Sequence, residues 1–288
     1  MCTRNPSPPP DLSDELQHAD TIGDTAYSKR WLFSLLMDLL KLIKSNSDKS
    51  EPIEELDADL EERLCCLWDL TVNHDVLPYL EEFNLVSILS EVLNCERFPR
   101  LLEICVGILA NMAYSTSACQ KMSDDETFIN RILALFYSRD TPTLTEVCRY
   151  VTFLFVDAHS WRSLVQTVLA SDEHSVAWLT TIRFQSDFVD NLLFILKNSK
   201  NGHLLIAAVR LLDGITRGDD SLAEVWCGSD LLDAILVAQH QMKWLHGNEV
   251  EIIHRLLYTF SSNVTGVCAL TKRVPLLPMV RNFQLARP

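Results

Sequence analysis

With 288 residues, 48% of them hydrophobic, the chain can build a substantial core, while 8 glycines and 11 prolines are too few for the tight turns of a sandwich or barrel. A formal charge of −14 at pH 7 argues against a general nucleic-acid binder, because phosphate affinity depends on cationic side chains. No uninterrupted apolar run approaches the roughly 20 residues that cross a bilayer, so no membrane span is expected.

In chain order, residues 1–26 read as a disordered leader, a proline-rich run followed by polar and acidic residues. Trp31-Leu32-Phe33, Leu35-Leu36-Met37 and Leu39-Leu40 then recur at a helical spacing that continues to Ile43 and predict a helix over 27–44. Its Trp31, Phe33 and Met37 either cap the open end of the first repeat, as solenoids require for solubility, or present a docking face. Residues 45–56 form an acidic linker, residues 57–270 hold about five helical repeats, and residues 271–288 make a short basic tail.

The segment from Leu101 to Ala113 carries the most information. At 100° per residue from Glu103, Gly107 falls near 40° and Asn111 near 80°, and every other direction is apolar or small. A helix with one narrow polar stripe must be wrapped by other helices on most of its circumference. Glu61, Glu103, Glu146, Ile206 and Glu251 occupy equivalent places, at intervals of 42, 43, 60 and 45 residues. Three of these intervals match the roughly 40–47 residues of armadillo and HEAT units. The long one holds an extra helical segment from Trp161 to Ile182. A second set of segments, beginning at Phe83, Phe128, Phe188 and Leu231, has broader polar faces and is expected to form an outer layer. Pro99, Pro142 and Asn201-Gly202 mark turns between the layers. The predicted fold is an all-α, armadillo/HEAT-like right-handed superhelix of stacked helical repeats.

The leader Asn5-Pro6-Ser7-Pro8-Pro9-Pro10, the run from Ile22-Gly23 through Tyr27 to Phe33, and Pro99 through Ala113 resemble the serum amyloid A-like protein family, also called synoviocyte proliferation-associated protein. The likeness is dense up to about residue 155 and thin afterwards, and the chain looks shorter at its C-terminus than typical relatives. The resemblance implies an armadillo-type intracellular protein, nuclear or nucleocytoplasmic, linked to control of cell proliferation. It brings no catalytic residues to carry over.

The residues themselves hold no motif for chemistry. There is no Cys-x-x-Cys, no HExxH, no Gly-x-Ser-x-Gly elbow and no phosphate-cradling glycine loop, so neither an enzyme nor a bound cofactor or metal is expected. His240, His246 and His254 read as surface residues near a helix junction. Nine cysteines, an odd number without an apolar signal core, imply free thiols in a reducing compartment, hence nucleus and/or cytoplasm. Cys65 and Cys66 point about 100° apart on a helix and are poor candidates for a disulfide.

What remains is a surface for binding. Projected onto the inner face, the repeats contribute Glu61, Trp68 and Asp69; Glu103 and Asn111; Glu146, Tyr150 and Phe153; Arg210 and Asp213; and Glu251, Arg255 and Tyr258. Rings offer buried area with few rotors, and amides and carboxylates can pair with a peptide, although each residue can equally be part of a solvated helix face. The Trp and Asn ladder of armadillo-type import adaptors is absent, since Asn111 has no Trp one turn earlier and Trp68 is followed by Asp69. The expected function is a non-catalytic scaffold or adaptor for a protein partner, one with a basic segment suiting the acidic stripe, and the chain is expected to be monomeric. The alternative is a chaperone cofactor that regulates nucleotide exchange on an Hsp70-like ATPase.

Overall fold

The computed structural model describes residues 20–45, 53–95, 97–155, 172–242 and 248–273. Among the described residues there are fifteen α-helices and no β-strand, so the all-α expectation holds. No single described helix is long and apolar enough to cross a membrane. The chain divides into two compact units, one up to Arg131 and one from Ile132.

The first unit opens on a closed turn. The Ile22 amide donates to the Tyr27 carbonyl at 2.9 Å, the Lys29 amide donates to the Asp20 carbonyl at 2.6 Å, and Ile22 is fully buried. The expected disordered leader to residue 26 is therefore corrected for residues 20–26; a lone isoleucine among polar neighbours has no periodicity to reveal it. Residues 1–19, including the proline-rich run, lie outside the described residues. Helix α1 (Lys29–Ser45) starts where Ser28 Oγ accepts the Trp31 amide at 3.0 Å. It buries Trp31, Leu32, Leu35, Leu36 and Leu39 and leaves Phe33 and Met37 exposed. The acidic linker ends in a docked stretch, with Leu56 buried and Glu54 bonded to Arg97 through both backbone and side chain.

Helix α2 (Ala58–Leu70) packs on α1. A 3-10 turn (His74–Val76) and α3 (Leu77–Glu81) follow, and Asn84, in the left-handed region at φ +52°, turns the chain into α4 (Leu85–Val92). Helix α5 (Pro99–Met112), which begins on a proline that has no amide to leave unsatisfied, packs on both α2 and α4. Leu101, Leu102 and every residue from Ile104 to Met112 are buried. Trp68 of α2 lies over Gly107, where a Cβ would run into the indole ring. Helix α6 (Thr116–Asp124) leaves α5 at 119° and leads into α7 (Glu126–Ala134). Arg131 pins α7 to α4 through the Ser90 carbonyl and Glu91, both at 3.0 Å.

In the second unit a 3-10 turn (Leu135–Tyr137) precedes α8 (Thr141–Phe155), whose first turn is capped by Asp140 through the Thr143 amide at 2.9 Å. Helices α9 (Asp172–Phe184) and α10 (Ser186–Asn198) follow; the first part of the extra segment expected from Trp161 lies outside the described residues. Helix α11 (Gly202–Gly218) packs on α8, on α10, and on α14 (Asn248–Ser261). Between them come α12 (Asp220–Trp226) and α13 (Ser229–Gln241), and α15 (Val264–Thr271) closes the described chain. Most of the basic tail lies outside the described residues. Phe136 and Phe188 meet edge to face at 4.7 Å, and Tyr150 meets Trp178 at 5.8 Å in the same way.

One local rule recurs across both units. Each of α2, α5, α11 and α14 ends in a sharp turn, and a polar side chain then satisfies the first amides of the next short element. Asn73 accepts from Asp75, Ser115 from Ala118, Asp219 from Ser221 and Leu222, and Asn263 from Gly266. The turn into α15 is so tight that a Cβ on Gly266 would strike the Phe260 backbone.

The two glycines make a contrast that can be measured. Gly266→Ala should cost about 1–3 kcal/mol, because the atoms in the way are backbone. Gly107→Ala should cost less than about 1 kcal/mol, because the half-buried indole can swing aside and alanine improves helix propensity. Urea unfolding that shows the larger loss at Gly107 would contradict this account. A second contrast concerns Asp219. Burial pushes its carboxyl up, but the Ser221 hydroxyl, the Leu222 amide and the Arg183 charge outweigh it, so its pKa lies below the ordinary value. A depressed folded pKa stabilises above the unfolded value, about 3.9, and the gain disappears as pH falls through the folded value. Asp219→Asn should therefore cost about 0.5 kcal/mol at pH 7, with the difference closing below about pH 4 in a pH series of thermal melts.

Candidate interaction face on the core helices

The thirteen residues expected on the inner face fall on α2 and α5 in the first unit and on α8, α11 and α14 in the second. In the first unit, Arg100 organises the acidic positions, a role the sequence reading missed. Its Nε donates to Glu61 at 2.8 Å, Nη1 to Glu103 at 2.7 Å, and Nη2 to the Cys65 sulfur at 3.4 Å. Asn111 was expected at the surface and is instead buried; its Nδ2 donates to Thr71 Oγ1 at 3.0 Å, and that hydroxyl donates to the Trp68 carbonyl at 2.6 Å. The amide staples α5 to the end of α2. Trp68 is half-buried over Gly107, and Asp69 is exposed.

In the second unit, Glu146 is largely covered and accepts from its neighbour Arg149 at 2.7 Å. Tyr150 is a further correction, being wholly buried against Trp178. Phe153 is half-buried, while Arg210, Glu251 and Tyr258 are exposed. Asp213 is 1% exposed and so is not a surface group either. Its Oδ2 receives Arg255 Nη2 at 2.9 Å and Nε at 3.2 Å and lies 3.3 Å from Arg217 Nε. The other oxygen, Oδ1, is buried with no hydrogen-bond partner, so the two guanidiniums compensate the carboxylate from one side. Arg255 also reaches Glu251 at 3.4 Å.

The reason for these corrections is visible at one register position. Four residues after the stripe's start stand Gly107, Tyr150, Arg210 and Arg255, which are respectively covered by an indole, buried, exposed and ion-paired. A helical wheel gives direction along one helix, but the size of the neighbouring helix's side chains decides what that direction meets. Charge changes too: Glu61, Glu103, Glu146, Asp213 and Glu251 are each paired with an arginine, so the stripe does not present the strongly acidic surface that its glutamates suggested.

Other chemistry is sparse. Among the described residues no group of three His, Cys, Asp or Glu is placed to hold a metal ion. Burial pushes the Cys119 and Cys227 thiols up to about 11 and Cys148 up to about 12, so they stay protonated at neutral pH and act as small apolar groups. Among the described residues Cys65, Cys95, Cys105, Cys119, Cys148, Cys227 and Cys268 are free thiols. Asn263, within a glycosylation pattern, is occupied in capping α15. An open depression of about 340 Å³ lies among α9, α10, α12 and α13, floored by Val189, Leu193 and Trp226 with Arg183 and Asp230 on its lining.

The comparisons with known proteins agree in one direction. Residues 188–280 match the family described as the SAAL1 C-terminal domain. This chain is similar to SAAL1 proteins. It is 34% identical over 283 residues to protein saal1 of Danio rerio, covering 93% of this chain and 57% of that protein. To protein SAAL1 of Homo sapiens it is 35% identical over 212 residues, covering 72% of this chain and 42% of the human protein. To protein saal1 of Xenopus tropicalis it is 30% identical over 295 residues, covering 93% and 60%. The chain thus spans about half the length of the curated relatives it matches. The likeness also extends well past residue 155, correcting the expectation that it thins there: α10, α11 and the helices up to α15 lie within the SAAL1 match.

Asp213 is the residue on this face whose loss should be felt by the fold. Asp213→Asn would leave Arg217 and Arg255 beside a neutral side chain. Because both guanidiniums are about one-third exposed, the cost should be about 1–3 kcal/mol, below that of a fully buried pair. Arg210→Gln, at an exposed site, should change stability by less than about 0.5 kcal/mol. Equal urea midpoints for the two variants would show that Asp213 is not holding α11 to α14.

Proposed function

We propose that each unit is a stack of armadillo-type helical repeats, and that the protein is a non-catalytic adaptor that holds a protein partner against the polar face of core helices within a unit. The single observation behind this reading is the unequal treatment of that face. In the second unit α8, α11 and α14 bury their apolar sides, yet Arg210, Glu251 and Tyr258 remain exposed on the polar sides of α11 and α14. An exposed tyrosine beside charged groups is the composition of a recognition surface, where rings supply area and guanidiniums supply directed hydrogen bonds. The side-by-side packing of α2 with α5 and of α11 with both α8 and α14, each long helix followed by a capped turn, supports the repeat assignment. The resemblance to the serum amyloid A-like family supports a place in proliferation control and residence in the nucleus or cytoplasm, and both are part of this proposal.

The test uses the whole chain. Proximity labelling in cells would nominate a partner, which is then purified and bound to wild type and to Asp69→Lys, Arg210→Glu and Tyr258→Ala. These sites are exposed, so helical circular dichroism should be unchanged. Affinity should fall about tenfold or more for at least one stripe variant, as expected when an interface anchor is truncated. A control at Lys121, exposed on α6, should bind as wild type does. Full binding by all three stripe variants would defeat the proposal.

A further inference from the structure

We propose that the α11–α14 face of the second unit docks an acidic peptide segment, one carrying aspartate or glutamate side chains in extended conformation. The inference rests on the adaptor reading and names the chemistry of its partner, reversing the basic segment that the glutamates of the sequence suggested.

His203, Arg210 and Arg217 are exposed and seven residues apart on α11. Seven residues advance the helix by 700°, within about 20° of two full turns, and by about 10.5 Å, so the three side chains form one straight ridge. A peptide in the extended polyproline II conformation has three residues per turn and rises about 3.1 Å per residue, so acidic side chains at every third position share one face about 9 Å apart and would meet successive groups of that ridge. Arg210 makes no hydrogen bond or ion pair with any described residue, so it is available to a ligand. Beside it, Arg217 and Arg255 are held in place by the buried Asp213 carboxylate while remaining about one-third exposed. A guanidinium already fixed by one carboxylate loses less side-chain freedom on meeting another.

The charges along this part of the stripe can be counted by helix. Helix α8 brings Glu146 and Arg149, which pair with each other, and α14 brings Glu251, His254 and Arg255. Helix α11 brings Arg210, Arg217 and the buried Asp213. Among the described side chains of this stripe the arginines outnumber the carboxylates, four to three, although the chain as a whole carries −14. With a screening length near 8 Å at physiological salt, a docked peptide responds to the local arginines more than to distant acids. Arginine is suited to a carboxylate because its planar fork can form two parallel bonds, and the exposed Tyr258 ring adds an apolar contact at the edge.

Fluorescence anisotropy with the full chain and a labelled oligoglutamate peptide tests this directly, with oligolysine and a single-stranded oligonucleotide as competing probes. Oligoglutamate should bind, weaken as salt is raised, lose about tenfold or more in affinity with Arg210→Glu, and recover substantially with Arg210→Lys. Circular dichroism of both variants should match wild type. Tighter binding of oligolysine, equal oligoglutamate binding by Arg210→Glu, or preferential binding of the oligonucleotide through Arg210 would each overturn the inference. If the cellular partner loses affinity with Tyr258→Ala but not with Arg210→Glu, the adaptor reading stands and the acidic-peptide inference falls.

Discussion

The burial of α5 is the constraint on which the first unit depends. With every residue from Ile104 to Met112 removed from water, α5 can exist only inside a sheath of neighbours, and α2 and α4 supply part of it. Close wrapping explains the features around it: a glycine where the Trp68 ring presses, and a buried amide at Asn111 that donates a hydrogen bond to the Thr71 hydroxyl. The polar stripe is what remains when all other directions are spent on packing. In the second unit α11 has the same place, with α8, α10 and α14 around it.

Electrostatics on the stripe follows from this geometry. Side chains that emerge at the seam between two core helices are partly desolvated, and a carboxylate there is stable only with a cation nearby. Arg100 serves Glu61 and Glu103 on two different helices, and Arg255 reaches across from α14 to Asp213 on α11. These pairs fix neighbouring helices in register, while the charge left for a partner is that of the residues outside the pairs. That distinction is what moves the expected partner chemistry from basic to acidic.

The SAAL1 match over residues 188–280 takes in α11 and α14, so the face argued to bind lies within the part of the chain that the C-terminal family description covers. The chain spans only 57% of the Danio rerio protein and 42% of the human one, and the proposed adaptor role rests on the exposed and paired groups of the helices present.

Much of the helical architecture was legible in the amino-acid sequence. The all-α class, the helices that carry Glu61, Glu103, Glu146 and Glu251, the helices that hold or follow Phe83, Phe128, Phe188 and Leu231, and the helix starts at Pro99 and Asn201 depend on local periodicity and capping, which neighbouring residues along one chain determine. The polar caps Asn73, Ser115, Asp219 and Asn263 were equally local and could have been read from the same rule. The fate of each stripe residue was not local. Tyr150 is buried because Trp178 lies across it, Asp213 because Arg255 comes from a helix some forty residues later, and Ile22 because a turn folds it inward. Sequence alone settled which side of each helix is polar; only the tertiary packing decided which polar groups are consumed in holding helices together, since that depends on contacts between residues far apart in the chain.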